Sequence, residues 1–157
     1  MTRPAGTHGR RLLLDTNVVV GALLWRGPPW RLLEQSLEDG VELFSSPALL
    51  AELRHTLGYA KFTQRLALLQ TDTSTLTRRY ESIVTQVEPG KVPRVVPGDA
   101  DDDHVIAAAV AGQVDAIITG DRHLLTIGSH EGIAIVGVQE GLTRLELGDP
   151  LRSVDRP

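Results

Sequence analysis

The chain has no cysteine among its 157 residues, which excludes disulfide bonds and metal sites built on thiolates. Long hydrophobic runs are also missing: the longest apolar stretches, residues 12–20 and 105–111, fall far short of the roughly 18 apolar residues that a membrane span needs. Residues 1–10 lack the apolar segment of a signal peptide. These absences predict a soluble protein, and the lack of cysteine fits the reducing cytoplasm.

An excess of positive charge is absent too, because 16 lysines and arginines stand against 20 aspartates and glutamates, a net charge of −4. Attraction to a phosphate backbone through bulk charge needs many unopposed basic groups, so the net charge argues against that mode of nucleic-acid binding. A nuclease is not excluded, since divalent ions at an acidic site offset several carboxylates. The basic residues that would form a rim around such a site are Arg10, Arg11, Arg26, Lys61, Arg65, Arg78 and Arg79.

The length and the hydrophobic content of 41% predict one folded domain. We expect it to cover residues 11–147, between a flexible leader at 1–10 and a flexible tail at 148–157. Short apolar runs alternate with helical patterns along this stretch. Strands are predicted at 11–14, 41–44, 94–96, 115–119 and 133–138. Helices are predicted at 18–25, 30–37 and 47–57, within 60–86, from the acidic run after Gly98 through about 111, and from 122. This alternation predicts an α/β fold with a central parallel sheet of about five strands, covered on both faces.

Acidic side chains stand where predicted strands end or a helix begins. Asp15 follows the apolar run at 12–14, and Asp121 follows the run at 116–118 after a Thr-Gly pair. The carboxyl ends of parallel strands face one crevice, so we expect these two distant aspartates to meet there. A further acidic run opens the alanine-rich helix and comprises Asp99, Asp101, Asp102 and Asp103.

Carboxylates gathered in this way predict a metal site. Two of them brought to about 4 Å repel by roughly 4 kcal/mol at an effective dielectric near 20, which favours a bound cation. Oxygen ligands without cysteine favour Mg²⁺ or Mn²⁺ over zinc. The alternative role for Asp15 is a simple helix cap. Caps or solvated charges also explain Asp99 and Asp101, because acids suit the positive end of a helix dipole.

The chain resembles the PIN-domain ribonucleases in three segments: LLLDTNVVVGALLW, SSPALLAELRHTL and DADDDHVIAAAVAGQVDAIITGDRHLL. The branch that it resembles comprises toxins of bacterial toxin–antitoxin systems, related to VapC-type toxins. The resemblance implies a three-layer α/β/α domain with metal-dependent cleavage of single-stranded RNA by a carboxylate cluster. It also implies a cognate antitoxin protein as partner and a homodimer.

Matched position by position, the resemblance implies a catalytic set of Asp15, Glu52, Asp102, Asp103 and Asp121. Two variants of the family pattern place the central acid at either Asp102 or Asp103, so both stay candidates. The implied ligands of one or two Mg²⁺ or Mn²⁺ ions are Asp15, Asp102, Asp103 and Asp121. The resemblance also implies that Glu52 is a ligand or orients the attacking water. Asn17 and Thr119 are expected to contact the ligands without binding the ion themselves. His123 departs from the pattern, since related sequences often carry an acid there.

Two other classes of protein serve as alternatives. A PIN-like domain that has lost activity and acts as a binding or scaffold protein would be expected to lack an acid, whereas all four family positions are filled here. A Rossmann-type nucleotide binder would carry GxGxxG after the first strand, and a phosphatase would carry DxDxT after Asp15. The sequence contains neither motif at those places, which disfavours both.

Overall fold

The computed structural model describes residues 10–90, 100–148 and 151, with the side chains of residues 100–102 outside that description. Within this part of the chain, helices surround one six-stranded sheet. The strands are β1 (Arg11–Leu14), β2 (Glu42–Ser45), β3 (Val84–Gln86), β4 (Ala116–Ile118), β5 (Ser129–His130) and β6 (Ile133–Val136). The α-helices are α1 (Thr16–Trp25), α2 (Gly27–Glu38), α3 (Pro47–Leu57), α4 (Thr63–Leu68), α5 (Thr73–Glu81), α6 (Ala100–Gly112), α7 (Arg122–Ile127) and α8 (Val138–Leu147), and a 3-10 helix spans Ala60–Phe62.

The strands lie in the order β3-β2-β1-β4-β6-β5. All neighbouring pairs are parallel except β5 and β6, which are antiparallel. The predicted α/β fold with a central parallel sheet is confirmed. Four of the predicted strands are present as β1, β2, β4 and β6, and the unpredicted edge strands β3 and β5 bring the described sheet to six. The chain builds outward from β1 to β3 and then returns to β4 on the other side of β1. The strand order therefore reverses between β1 and β4, and ligands of open α/β sheets bind at such a point.

The hydrophobic core consists of two clusters, one on each face of the sheet. Alternate residues of a strand point to opposite faces, so Leu12 and Leu14 enter one cluster and Leu13 the other. The first cluster contains side chains of α1, α2 and α8, and the second is filled mainly by α6. Burial on both faces explains why β1 continues after Arg11 as three consecutive leucines. The helix layers on both faces match the predicted architecture.

The region 60–86 differs from its prediction as a purely helical segment. Ile83 and Val87 continue a helical spacing, but α5 ends at Glu81 and β3 follows. This edge strand has three residues, and Thr85 and Gln86 are exposed, so no hydrophobic alternation marks it. It forms because it pairs with β2. The strand predicted at 94–96 lies outside the described residues.

The last part of the described chain forms a helix that the sequence analysis did not predict. The strand expected at 133–138 ends at Val136, because Gly137 is the N-cap of α8. Gly141 lets α8 approach β4 closely, since a Cβ at this position would lie 2.8 Å from Cδ1 of Ile118. Leu151, which follows this helix, is buried in the first cluster.

Tyr80 on α5 carries a polar group that the core does not satisfy. The side chain is 2% exposed, and its Oη has no hydrogen-bond partner within the described residues. Burial raises the pKa of this phenol above its usual value of 10. We expect Tyr80→Phe to increase the free energy of unfolding by about 1 kcal/mol, because a buried hydroxyl without a partner costs about 1–3 kcal/mol. Urea denaturation at neutral pH measures this change.

The pH dependence of the free energy of unfolding provides a second test of the buried Tyr80 hydroxyl. The folded-state pKa of Tyr80 is raised, so above the ordinary tyrosine pKa the unfolded chain loses its proton first and wild-type stability falls. Tyr80→Phe should lose less stability over the same alkaline range. Tyr59→Phe is the control, because Tyr59 is exposed and its loss should change little. A Tyr80→Phe protein clearly less stable than wild type would show that the hydroxyl has a partner.

Candidate metal and catalytic site

Asp15 lies directly after β1, at the point where the strand order reverses. Its Oδ1 accepts a hydrogen bond of 2.8 Å from the Thr16 amide, which caps α1. Its own amide donates to the Ile118 carbonyl at 2.9 Å, which ties it to the end of β4. The side chain is only 5% exposed. Asp15 is therefore a helix cap, as the simpler alternative predicted, and also a carboxylate fixed in the crevice.

Thr119 connects Asp15 to the segment that carries Asp121. Its fully buried Oγ1 donates to Oδ2 of Asp15 at 2.7 Å and accepts from the Asp121 amide at 2.9 Å. One hydroxyl thus links two parts of the chain that are 104 residues apart. The structure brings these three residues together, as expected from strands that end at one edge of the sheet.

Asp121 begins α7 and is half-buried. Its Oδ1 accepts from the His123 amide at 2.7 Å and from the Leu124 amide at 3.3 Å. Both amides donate to the same oxygen. The exposed His123 imidazole lies 3.9 Å from that Oδ1. The position where the resemblance implied an acid therefore carries an imidazole near Asp121.

Asp103 is the fourth residue of α6 and is 1% exposed. This helix packs against β1 and β2 while the chain crosses from β3 to β4, which places its first turn at the carboxyl edge of the sheet. A buried carboxylate is costly unless it is paired or binds a metal ion. The other candidate for this position, Asp102, has its side chain outside the description. Asp99 lies outside it entirely.

Glu52 and Asn17 lie on helices that start from the same edge. Glu52 is half-buried near the middle of α3, which begins directly after β2 with Ser46 as its cap. Asn17 is exposed in the first turn of α1. Ser46 is itself almost fully buried at the carboxyl end of β2, a position that the sequence analysis treated only as a helix start. Its location after a buried strand, like that of Asp15, is the signal that could have singled it out.

These carboxylates do not form a closed metal cage. No three Asp, Glu or His side chains of the described residues lie close enough together to hold an ion by themselves. Mg²⁺ tolerates this arrangement, because it keeps several of its waters and usually takes only one or two carboxylates directly. Oriented hard oxygens such as those of Asp15 and Asp121 fit that mode of binding.

The strand order reverses between β1 and β4, and this place is called the switch point of the sheet below. Acids lie after both of these strands. These features define an α/β domain whose ligand crevice lies at the switch point. A family model of the PIN domain matches residues 11–123, a stretch that includes Asp15, Thr119 and Asp121. This chain belongs to the PIN-domain family. PIN domains are generally nucleases, so a nuclease-type function follows from the family.

Comparison with solved structures gives a similar fold. The crystal structure of PAE2754 from Pyrobaculum aerophilum aligns with a TM-score of 0.52 at 15% sequence identity, over 88% of this chain and 98% of that one. Identity this low shows a shared fold alone. No curated protein matches the chain in sequence. The helices of the described residues include none with the length and apolar character that crossing a membrane requires.

Proposed function

We propose that this PIN domain is a metal-dependent endoribonuclease that cleaves single-stranded RNA and serves as the toxin of a toxin–antitoxin pair. The observation that carries the proposal is the hydrogen-bonded link from Asp15 through Thr119 to Asp121 at the switch point of the sheet. A carboxylate held by two donors in a buried crevice is a preorganised ligand for a hard cation.

In the proposed mechanism each residue has a distinct task. Asp15 and either Asp102 or Asp103 would hold a Mg²⁺ or Mn²⁺ ion, with Asp121 as a direct or water-mediated ligand. When bound, such an ion would lower the pKa of a water and stabilise charge on the leaving oxygen. Glu52 would orient the attacking water or join the ligands.

Thr119 and the Thr16 amide fix the orientation of the Asp15 carboxylate. Each donates to a different oxygen of its carboxylate, so the group cannot rotate without the loss of a hydrogen bond. Asn17, exposed in the first turn of α1, is the other residue proposed to support the metal ligands without binding the ion itself.

The nuclease proposal is tested with labelled RNA of mixed sequence. Purified protein should cleave the single strand in MgCl₂ or MnCl₂ and leave it intact in EDTA. The same sequence as duplex RNA and as single-stranded DNA tests the substrate class. An inactive PIN-like scaffold would bind partners but leave the RNA intact in every metal, and that result would contradict the proposal.

The toxin proposal needs a separate experiment in cells. Induced expression in a bacterial host should arrest growth, and the Asp15→Asn variant at the same protein level should not. Normal growth with an enzyme active in the test tube would contradict the toxin role and retain the nuclease. The proposal also includes a cytoplasmic homodimer and an antitoxin protein that covers the crevice. Sedimentation of the purified protein tests the dimer.

A further inference from the structure

The few aromatic residues of this chain are unevenly distributed. Of two tryptophans, two tyrosines and two phenylalanines, Phe44 and Tyr80 belong to the core. The other four lie in two segments that contain no Asp or Glu, residues 16–33 and 53–71, and they are Trp25, Trp30, Tyr59 and Phe62. Trp25 is 51% exposed and Tyr59 43% exposed. A chain with a net charge of −4 therefore keeps its surface aromatics in sequence segments free of acids.

These two segments meet in the folded protein. The rings of Trp25 and Phe62 contact edge to face, with centroids 5.5 Å apart. Arg65 donates from Nε to the Leu24 carbonyl at 2.6 Å, which fixes the second segment against the end of α1. The combined surface of Trp25, Arg26, Lys61, Phe62 and Arg65 is called the aromatic–basic patch below.

The cations of the patch lie over aromatic rings instead of beside carboxylates. Lys61 Nζ lies 5.2 Å from the Phe62 ring, and the Arg65 guanidinium lies 5.7 Å from the Trp25 ring. Arg26 lies 4.7 Å from the ring of Trp30. None of these three cations belongs to an ion pair between described residues. Their charge is thus not neutralised locally, unlike that of Arg31, which pairs with Glu146 at 3.1 Å.

We propose that the aromatic–basic patch binds single-stranded RNA and holds the substrate at a distance from the cleavage site. Proteins that bind single strands combine unpaired cations for the phosphates with aromatic rings on which bases stack. The inference rests on the proposed ribonuclease function, for which it names a second contact with the substrate. An anionic membrane surface would use the cations but has no need of stacking rings.

Helix α1 sets the distance between the patch and the candidate site. It runs from Thr16, next to Asp15, to Trp25, and its ten residues span about 15 Å at 1.5 Å per residue. At about 3.4 Å per stacked nucleotide, this distance corresponds to about four or five nucleotides. The patch should therefore contribute to binding of long RNAs and not of very short ones.

Binding is measured by fluorescence anisotropy of a labelled oligouridine of about 12 nucleotides, in EDTA so that no cleavage occurs. The double variant Trp25→Ala/Lys61→Gln should raise Kd by about tenfold or more, because each stacked base and each phosphate contact contributes to affinity. Lys61→Gln alone should reduce the slope of log K against log salt by about one. The matched control is Arg31→Gln, whose cation is already neutralised, and it should change Kd less than about twofold.

Two further measurements separate stacking from a structural effect. Trp25→Phe keeps an aromatic face and should recover most of the affinity that Trp25→Ala loses. In MnCl₂ the double variant should lose kcat/KM on long RNA but not on an RNA of about three nucleotides, which is too short to reach the patch. Circular dichroism melts confirm that each variant is folded.

The outcomes distinguish this inference from the proposed function. If the wild type cleaves RNA and the double variant binds RNA as tightly as the wild type, the proposal that the patch binds RNA is wrong and the nuclease proposal stands. If RNA binding depends on the patch but the wild type cleaves RNA in no metal, the nuclease proposal is wrong and the RNA-binding role of the patch stands. Absence of RNA binding by the wild type, or patch-dependent binding to anionic vesicles instead of RNA, would overturn the patch.

Discussion

Replacement of Asp15 by asparagine is expected to lower metal-dependent RNA cleavage by about a thousandfold or more. Metal ions stabilise the transition state by several kcal/mol, and each 1.36 kcal/mol corresponds to about tenfold in rate. Asparagine keeps the shape and an oxygen that accepts from the Thr16 amide, so the cap of α1 should persist. What the variant loses is the negative charge. Single-turnover cleavage of labelled RNA in MnCl₂ measures the effect.

Asp115 offers a matched control for this substitution. It is as deeply buried as Asp15, at 5% exposure, but it lies before β4, at the opposite end of that strand. Its Oδ2 accepts from the Arg11 amide at 2.9 Å, so its role is structural. Asp115→Asn should retain cleavage in the folded protein. Equal rates for wild type and Asp15→Asn would indicate a contaminating nuclease, and equal losses in both variants would indicate unfolding.

Replacement of Thr119 by valine is expected to weaken Mn²⁺ binding by about 10- to 100-fold, the usual cost of losing a partner that orients a ligand. Valine has the same shape but neither donates to Asp15 nor accepts from the Asp121 amide. Stability should also fall by about 1–3 kcal/mol, because buried polar groups lose their hydrogen bonds. Mn²⁺ titrations followed by calorimetry measure the affinity, and thermal melts without metal measure the stability.

Thr119→Ser is the control for that variant, because serine retains the hydroxyl. It should bind Mn²⁺ within a few-fold of the wild type. Saturating Mn²⁺ should restore most of the cleavage by Thr119→Val, since the direct ligands are still present. Wild-type affinity in Thr119→Val would show that Asp15 does not depend on this hydroxyl for its orientation.

The part of the site that could be predicted from sequence is the part that strong local signals mark. A buried apolar run that ends in aspartate and passes into a helix specifies both β1 and the position of Asp15. The same pattern around 116–121 places Thr119 and Asp121, and parallel strand topology brings the two together. Helix α3 begins at Pro47 as predicted, because serine followed by proline is a strong helix start.

Other features could not be predicted because they depend on contacts between distant segments. The edge strands β3 and β5 are too short to show a hydrophobic period and form by pairing with β2 and β6. Helix α2 begins at Gly27 and not at the predicted residue 30, because Pro28 and Pro29 fit the first turn of a helix, where the missing amide costs nothing. The break between α1 and α2 lies at Arg26 and Gly27, which have positive φ values of 64° and 58°.

The choice between Asp102 and Asp103 also depends on contacts between distant segments. Adjacent helix positions differ by about 100° around the axis, so only the packing of α6 on the sheet decides which carboxylate faces the crevice. The aromatic–basic patch likewise requires the end of α1 to meet the 3-10 helix. Each segment supplies only some of the rings and cations of the patch. From the sequence, only the cations could be named as candidates for binding RNA.

The central claim is that the switch point of the sheet holds a divalent ion through Asp15. Crystals of the wild type and of Asp15→Asn grown in MnCl₂, with anomalous scattering recorded at the manganese edge, test it most directly. We predict a peak about 2.0–2.2 Å from a carboxylate oxygen of Asp15, adjacent to Asp121, that is lost in the variant. Manganese bound only elsewhere, or an equal peak in both crystals, would contradict the claim.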